Sequence, residues 1–245
     1  MAEKSKHRNR SLRIVALILV LLVAGGTVYV SDFYHTDPAA AALLDEDIPG
    51  ITITVGEDRI VFQPEEAKAG LIFYPGGKVE FTAYAPLMRA FADRGFLCVL
   101  LKMPLNLAVL GVNAADRVLG AYPEISDWYI AGHSLGGAMA ASYAGKHSEA
   151  LTGLILLAAY STADLKESSL QVLSLYGSED GVLNMQKYEK NRSNLPADAV
   201  EVIIPGGCHA YFGSYGAQKG DGNPSVSREE QISFTAEKAA GLLTE

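Results

Sequence analysis

The sequence predicts an α/β fold: a mostly parallel twisted sheet with helices on both faces. Three observations predict it. Short runs that read as strands alternate with segments of helical spacing. Those runs are apolar at consecutive positions, as strands covered on both faces are. Locally, Trp128-Tyr129-Ile130-Ala131 passes through Gly132-His133-Ser134-Leu135-Gly136-Gly137 into the helix-forming stretch 138–144. That is strand, sharp turn, helix, with Gly-x-Ser-x-Gly at the turn.

The N-terminus comes first in the chain and bears on location. Lys4, Lys6, Arg8, Arg10 and Arg13 precede an uncharged run from Ile14 to Val30. At about 1.5 Å rise per residue, such a helix just spans a hydrocarbon core. Positive charge ahead of it places the N-terminus in the cytoplasm and the rest outside. The expected organisation is a cytoplasmic basic segment (1–13), a transmembrane signal anchor (14–30), a linker (31–47) and one domain (48–245). The protein would be a single-pass cell-membrane protein with its domain on the extracytoplasmic side. The alternative is a cleaved secretory signal and a secreted body. Tyr29-Val30-Ser31-Asp32-Phe33 is a poor cleavage site, and no lipobox cysteine is present.

Within the domain, 51–55 and 59–63 alternate around Gly56-Glu57-Asp58 and predict an antiparallel hairpin. Further strands are predicted at 70–74, 96–101, 128–131, 152–157, 171–176 and 199–204. Helices are predicted at 84–94, 113–119, 138–146 and 184–192, with a short one at 39–44. Ser227-Arg228-Glu229-Glu230 is a capping box that opens a last helix.

Composition narrows the function. The 245 residues are 49% hydrophobic, enough for one domain with a sizeable core. Of 20 basic residues, five lie in the first thirteen, together with one of the 28 acidic ones. The remaining 15 and 27 leave the body at −12. Such a body lacks the cationic surface that nucleic acid requires. Cys98 and Cys208 form neither a disulfide framework nor a metal-ligand spacing, so no metal and no cofactor is expected.

Serine at the turn suggests chemistry. It is a weak nucleophile and has to be held exposed on a strained elbow, within reach of a base and an oxyanion hole. Gly132 and Gly136 let strand and helix pass close beside it. In an open α/β sheet, partners lie beyond the carboxyl ends of the strands. After the 171–176 strand comes Gly177-Ser178-Glu179-Asp180, and after the 199–204 strand comes Gly206-Gly207-Cys208-His209.

Ser, Asp and His in that order resemble the α/β-hydrolase superfamily, in particular its compact dienelactone-hydrolase-like members. The resemblance runs from about Ile51 to the C-terminus. It implies the α/β-hydrolase fold, with Ser134 as nucleophile, His209 as general base and Asp180 orienting the imidazole. Glu179 and Asp164 are alternative acids. It also implies two oxyanion donors, the backbone N–H of Leu135 and one from the loop Pro75-Gly76-Gly77-Lys78. Gly77 is the matching position and Lys78 the alternative. Many relatives have His-Gly in that loop, and this chain has Pro75-Gly76 instead. Dienelactone hydrolase itself uses a cysteine nucleophile, so the serine here argues against the same substrate.

About a dozen residues separate the 152–157 and 171–176 strands, too few for the helical cap of many relatives. An open, shallow site is expected, with Met103, Pro104, Leu105, Tyr160 and Tyr211 as walls. Met103, Tyr160 and Tyr211 are the substrate-binding candidates. The segment 213–224 lacks the alternating carboxylates of a calcium loop and reads as a structural loop. The expected activity is a serine hydrolase, carboxylesterase-like, acting on a small-molecule ester, thioester or lactone through an acyl-enzyme. Acyl transfer on the same triad and a catalytically retired, membrane-tethered binding protein are the alternatives.

Overall fold

The apolar runs pair into one eight-stranded sheet, in the spatial order 51–55, 59–64, 96–101, 69–74, 128–133, 153–157, 171–177 and 200–204. The computed structural model describes residues 2–243, leaving aside the side chains of residues 2–14, 16 and 23. It divides into two compact units, Met1–Phe33 and Tyr34–Glu245.

The first unit is helix α1 (Ala2–Ser31). Its apolar side chains from Leu17 to Leu22 and at Val28 are exposed. Among the described residues no helix is long and apolar enough to cross a membrane. The transmembrane span expected over 14–30 is therefore not found there. The side chains at positions 14, 16 and 23 of that span, like those of the basic segment 1–13, are not among those described.

The second unit begins earlier than the sequence suggests. A tether over 31–47 and a domain from 48 are corrected: the body starts at Tyr34, which bridges Val79 and donates its N–H to the Lys78 carbonyl at 2.7 Å. Helix α2 (Pro38–Ala42) runs into a 3₁₀ turn, Leu43–Asp45, and buries Ala40 and Leu43. Those residues stand three apart, so one helical face carries both into the core. Asp37 pairs with Arg228 at the far end of the sequence.

Strands β1 (Ile51–Val55) and β2 (Arg59–Pro64) form the predicted antiparallel hairpin. The parallel part comprises β3 (Ala69–Tyr74), β4 (Phe96–Leu101), β5 (Trp128–His133), β6 (Gly153–Leu157), β7 (Gln171–Gly177) and β8 (Val200–Ile204). Strands β3 to β6 are buried throughout. Along β3, Leu71 and Phe73 point to one face and Ile72 and Tyr74 to the other, the alternation a strand imposes. On the first face lie Leu87, Met88 and Phe91 of α3 (Ala85–Ala92). The second packs against Val118 of α4 (Asp116–Leu119) and Ala140, Ala141 and Tyr143 of α5 (Leu135–Ala144). Helix α6 (Met185–Asn191) docks Tyr188 on Tyr176. Helix α7 (Arg228–Ala240) adds Ile232, Ala236 and Ala239 to the first face.

The capping box is formed at the start of α7: Ser227 Oγ accepts from the Glu230 N–H, and the Glu230 carboxylate accepts from the Ser227 N–H. Burial on both faces fails at β8, where Val200 and Ile203 are exposed, because the sheet ends there. Residues 158–170, between β6 and β7, hold no helix or strand. The sheet order brings the carboxyl ends of β3, β5, β6, β7 and β8 to one edge, where the candidate residues lie.

Candidate active site

Ser134 occupies the elbow between β5 and α5 with φ 52° and ψ −120°, a backbone state a serine adopts only under constraint. The constraint comes from backbone packing. Any Cβ at Gly136 would lie 2.2 Å from the Tyr74 carbonyl oxygen, and one at Gly132 would lie 2.5 Å from Gly136 C. Both glycines are required for α5 to start flush against β3 and β5. The Ser134 N–H donates to Leu157 O at 2.9 Å and pins the turn to β6.

His209 follows β8, and its Nδ1 lies 2.9 Å from Asp180 Oδ2. Both side chains are 1% exposed. The other Asp180 oxygen accepts from the N–H groups of Val182 (2.9 Å) and Leu183 (2.8 Å). A carboxylate so held presents a fixed acceptor to Nδ1 and selects the tautomer with a proton there. His209 Nε2 is then an acceptor, and it has no hydrogen-bond partner. Ser134 and His209 line one cavity of about 260 Å³, although no hydrogen bond joins Ser134 Oγ to Nε2 in this structure. The other acids are elsewhere: Glu179 is exposed and accepts from Ser178 Oγ, and Asp164 pairs with Lys166 at the surface.

The two oxyanion candidates also meet. A Cβ on Gly77 would come 2.8 Å from Leu135 Cδ2, so the Pro75–Lys78 loop lies directly against the start of α5. Among the described residues, the N–H groups of Gly77 and Leu135 have no acceptor, whereas that of Lys78 donates to Asn106 O at 2.8 Å. Of the two loop candidates, only Gly77 has a free donor.

A buried network supports this loop, and the sequence did not point to it. Tyr84 Oη accepts from the Gly76 N–H at 3.0 Å and lies 2.8 Å from His133 Nδ1. Burial pushes the Tyr84 phenol well above its ordinary range, so the hydroxyl keeps its proton and donates to Nδ1. Burial, and then the neighbouring His209, hold the His133 pKa well below that of a free histidine. His133 therefore stays neutral although its ring centroid is 4.5 Å from that of His209. No second cation competes with an imidazolium on His209.

The expected walls are only partly reproduced. Tyr160 lines the cavity, with Ala138, Ala158, Ala159, Val182, Leu183 and Asn184. Met103 does not: it is 3% exposed and packs in the core, its sulfur near Gly111. Tyr211 does not either; its ring faces the Arg228 guanidinium at 5.2 Å. Leu105 is exposed on a loop with φ 52°. Residues 182–184 follow Asp180 almost directly, and that adjacency is the signal in the sequence that points to them.

Cys208 is buried beside His209, and burial with the charge of Asp221 pushes its thiol up to about 12. At neutral pH it carries almost no thiolate, the reactive form. Among the described residues no group of three or more His, Cys, Asp or Glu could hold a metal ion. Larger hollows of about 390, 470 and 360 Å³ lie away from Ser134.

Similar architectures occur among solved structures. A predicted CIB-like hydrolase from Thermoplasma acidophilum aligns with a TM-score of 0.61 and 13% identity, over 78% of this chain and 100% of its own. A membrane phospholipase A described as a bacterial virulence factor gives 0.58 and 15%, over 94% of this chain and 97% of its own. Dienelactone hydrolase from Anabaena variabilis gives 0.56 and 17%, over 80% and 98%. At these identities the likeness is one of fold. No curated protein matches. The sequence profile of the α/β hydrolase family matches residues 70–233, and the chain belongs to that family.

Proposed function

We propose that the protein is a serine hydrolase cleaving an uncharged carboxylic ester, thioester or lactone through an acyl-enzyme on Ser134. One observation carries the reading: a buried Asp180–His209 pair whose unpartnered Nε2 belongs to the same cavity as an elbow serine. His209 Nε2 takes the Ser134 proton as Oγ attacks the carbonyl carbon, and Asp180 stabilises the resulting imidazolium. The N–H groups of Leu135 and Gly77 receive the oxyanion. His209 then protonates the leaving group, and the acyl-enzyme forms. Water, deprotonated by His209, attacks it and regenerates Oγ–H. The contact between Ser134 Oγ and Nε2 would form when substrate binds, as such contacts tighten in the Michaelis complex.

The acyl group would rest on Ala138, Ala158, Ala159 and Leu183, a wall without Lys or Arg, which favours an uncharged chain. The short 158–170 connection leaves the mouth uncapped. Each fully buried CH₂ is worth about 0.8 kcal/mol, nearly fourfold in affinity. A cavity of about 260 Å³ exhausts that gain early. With residues 34–245 and p-nitrophenyl esters of graded length below their micellar concentrations, kcat/KM should rise from acetate to about butyrate or hexanoate and then flatten. A steady rise to long chains would require a deep tunnel and contradict the assignment of these walls. Absence of both turnover and fluorophosphonate labelling would favour a retired site.

Location follows from the same chain. The basic residues before position 14 and the uncharged run after it support an N-terminus held at the cell membrane with the body outside the cytoplasm. Leu17 to Leu22, exposed in α1, are better solvated by lipid than by water. The full chain should fractionate with membranes, and deletion of residues 1–33 should release an active, soluble body. A full-length chain in the soluble fraction would contradict the anchor, and a shorter mature form would indicate signal cleavage.

A further inference from the structure

Asp221 lies in the loop 213–224, which the mechanism above does not use. Its Oδ1 accepts from the N–H of His209 at 3.1 Å, of Gly181 at 3.2 Å and of Gly222, in its own turn, at 2.9 Å. Its Oδ2 accepts from the N–H of Ala210 at 2.8 Å. One carboxylate therefore grips the backbone of the base and the backbone of the residue after the acid. The neighbouring glycines allow the approach. A Cβ on Gly222 would lie 1.9 Å from the Glu179 carbonyl oxygen, and one on Gly181 would lie 2.4 Å from that of Gly220. Gly220 itself has φ +88°, which an L side chain strains to adopt. Backbone thus lies on backbone from 179 to 181 and from 220 to 222.

We infer that Gly220-Asp221-Gly222 is a clamp that sets the register between the two arms of the triad, with Asp221 as a positioning residue for His209 and Asp180. The inference rests on the hydrolase reading and extends it to a residue that touches no substrate. Between the carboxyl ends of β7 and β8, the acid and base sit on separate loops, and a loop backbone drifts unless its N–H groups are held. Charge-assisted hydrogen bonds to backbone N–H groups are the stronger kind and fix direction as well as distance. Burial alone would raise the Asp221 pKa, but the N–H groups of Ala210, His209 and Gly181 outweigh it, so the carboxyl is held below its usual range. The clamp is therefore ionised at neutral pH. Cys208, held as a thiol, lies against the same carboxylate.

The test compares full-length wild type, Asp221→Asn and Asp221→Glu in detergent. Asparagine keeps one acceptor but turns an N–H toward the Ala210 N–H. A displacement of about 1 Å at a catalytic group costs on the order of a hundredfold in rate. Asp221→Asn should lose about that factor in kcat with KM unchanged, at a temperature well below its own Tm. The low-field NMR signal of the His209 Nδ1 proton, identified by its loss in His209→Gln, should weaken or vanish in Asp221→Asn. Asp221→Glu, which keeps the charge on a longer arm, should recover part of both. A folded Asp221→Asn with wild-type kcat and an intact signal would overturn the clamp. So would a loss that follows only the fraction unfolded. If Asp221→Asn does not fold, Asp221→Glu decides by the same two readouts. Wild type without turnover would remove the hydrolase reading instead, leaving the clamp to be judged on the resonance.

Discussion

Ser134→Ala is expected to lower kcat for ester hydrolysis by about six orders of magnitude, the scale of losing the nucleophile of a triad. In free energy that is roughly 8 kcal/mol of transition-state stabilisation. Removing Oγ removes the covalent route and leaves only what the Leu135 and Gly77 N–H groups and binding can supply. The fold should be unaffected: alanine avoids the left-handed region no more than serine does, and the elbow is held by Gly132, Gly136 and the Ser134 N–H rather than by the hydroxyl. Thermal unfolding within a few degrees of wild type, with labelling by a fluorophosphonate abolished, is the expected pair of results. Retention of a tenth of the activity would place the nucleophile elsewhere.

Asp180→Asn is expected to cost about four orders of magnitude in kcat, because it reverses a proton rather than removing a contact. The carboxamide oxygen can keep the bonds from the Val182 and Leu183 N–H groups. Its NH₂ then faces His209 Nδ1, which must accept, so the proton moves to Nε2 and the base is blocked. Asp180 is 1% exposed and makes three such contacts, so water cannot take its place. The variant should fold and keep substrate affinity. A loss below tenfold, measured as kcat with KM alongside, would remove Asp180 from this role.

The parts of the site that could be read from the chain are the locally encoded ones. Gly132 and Gly136 around Ser134 announce the elbow because only a residue without Cβ tolerates carbonyl oxygens at that range. Asp180 and His209 could be found because an α/β sheet sends its functional loops to one edge. The hairpin 51–64 and the capping box at 227 are equally local. Side-chain direction after a strand is not local. Met103 turns into the core beside Gly111, and Tyr211 turns toward Arg228, whose position depends on α7 more than a dozen residues later. Segment 34–47, part of the stretch 31–47 that reads as a tether, is alanine-rich and buries little by itself. Its fixed place comes from Val79 and Arg228, both distant in sequence. Asp221 was invisible for the same reason: its partners are backbone N–H groups, which leave no residue signature.

The most direct measurement is a rapid acid quench of the enzyme turning over a p-nitrophenyl ester, followed by intact-mass and peptide mapping. The predicted result is a burst of p-nitrophenol together with an added acyl mass on the peptide containing Ser134, absent in Ser134→Ala and accumulated at high substrate concentration. Full-rate turnover with unmodified Ser134, or the acyl mass on the Cys208 peptide, would contradict the account.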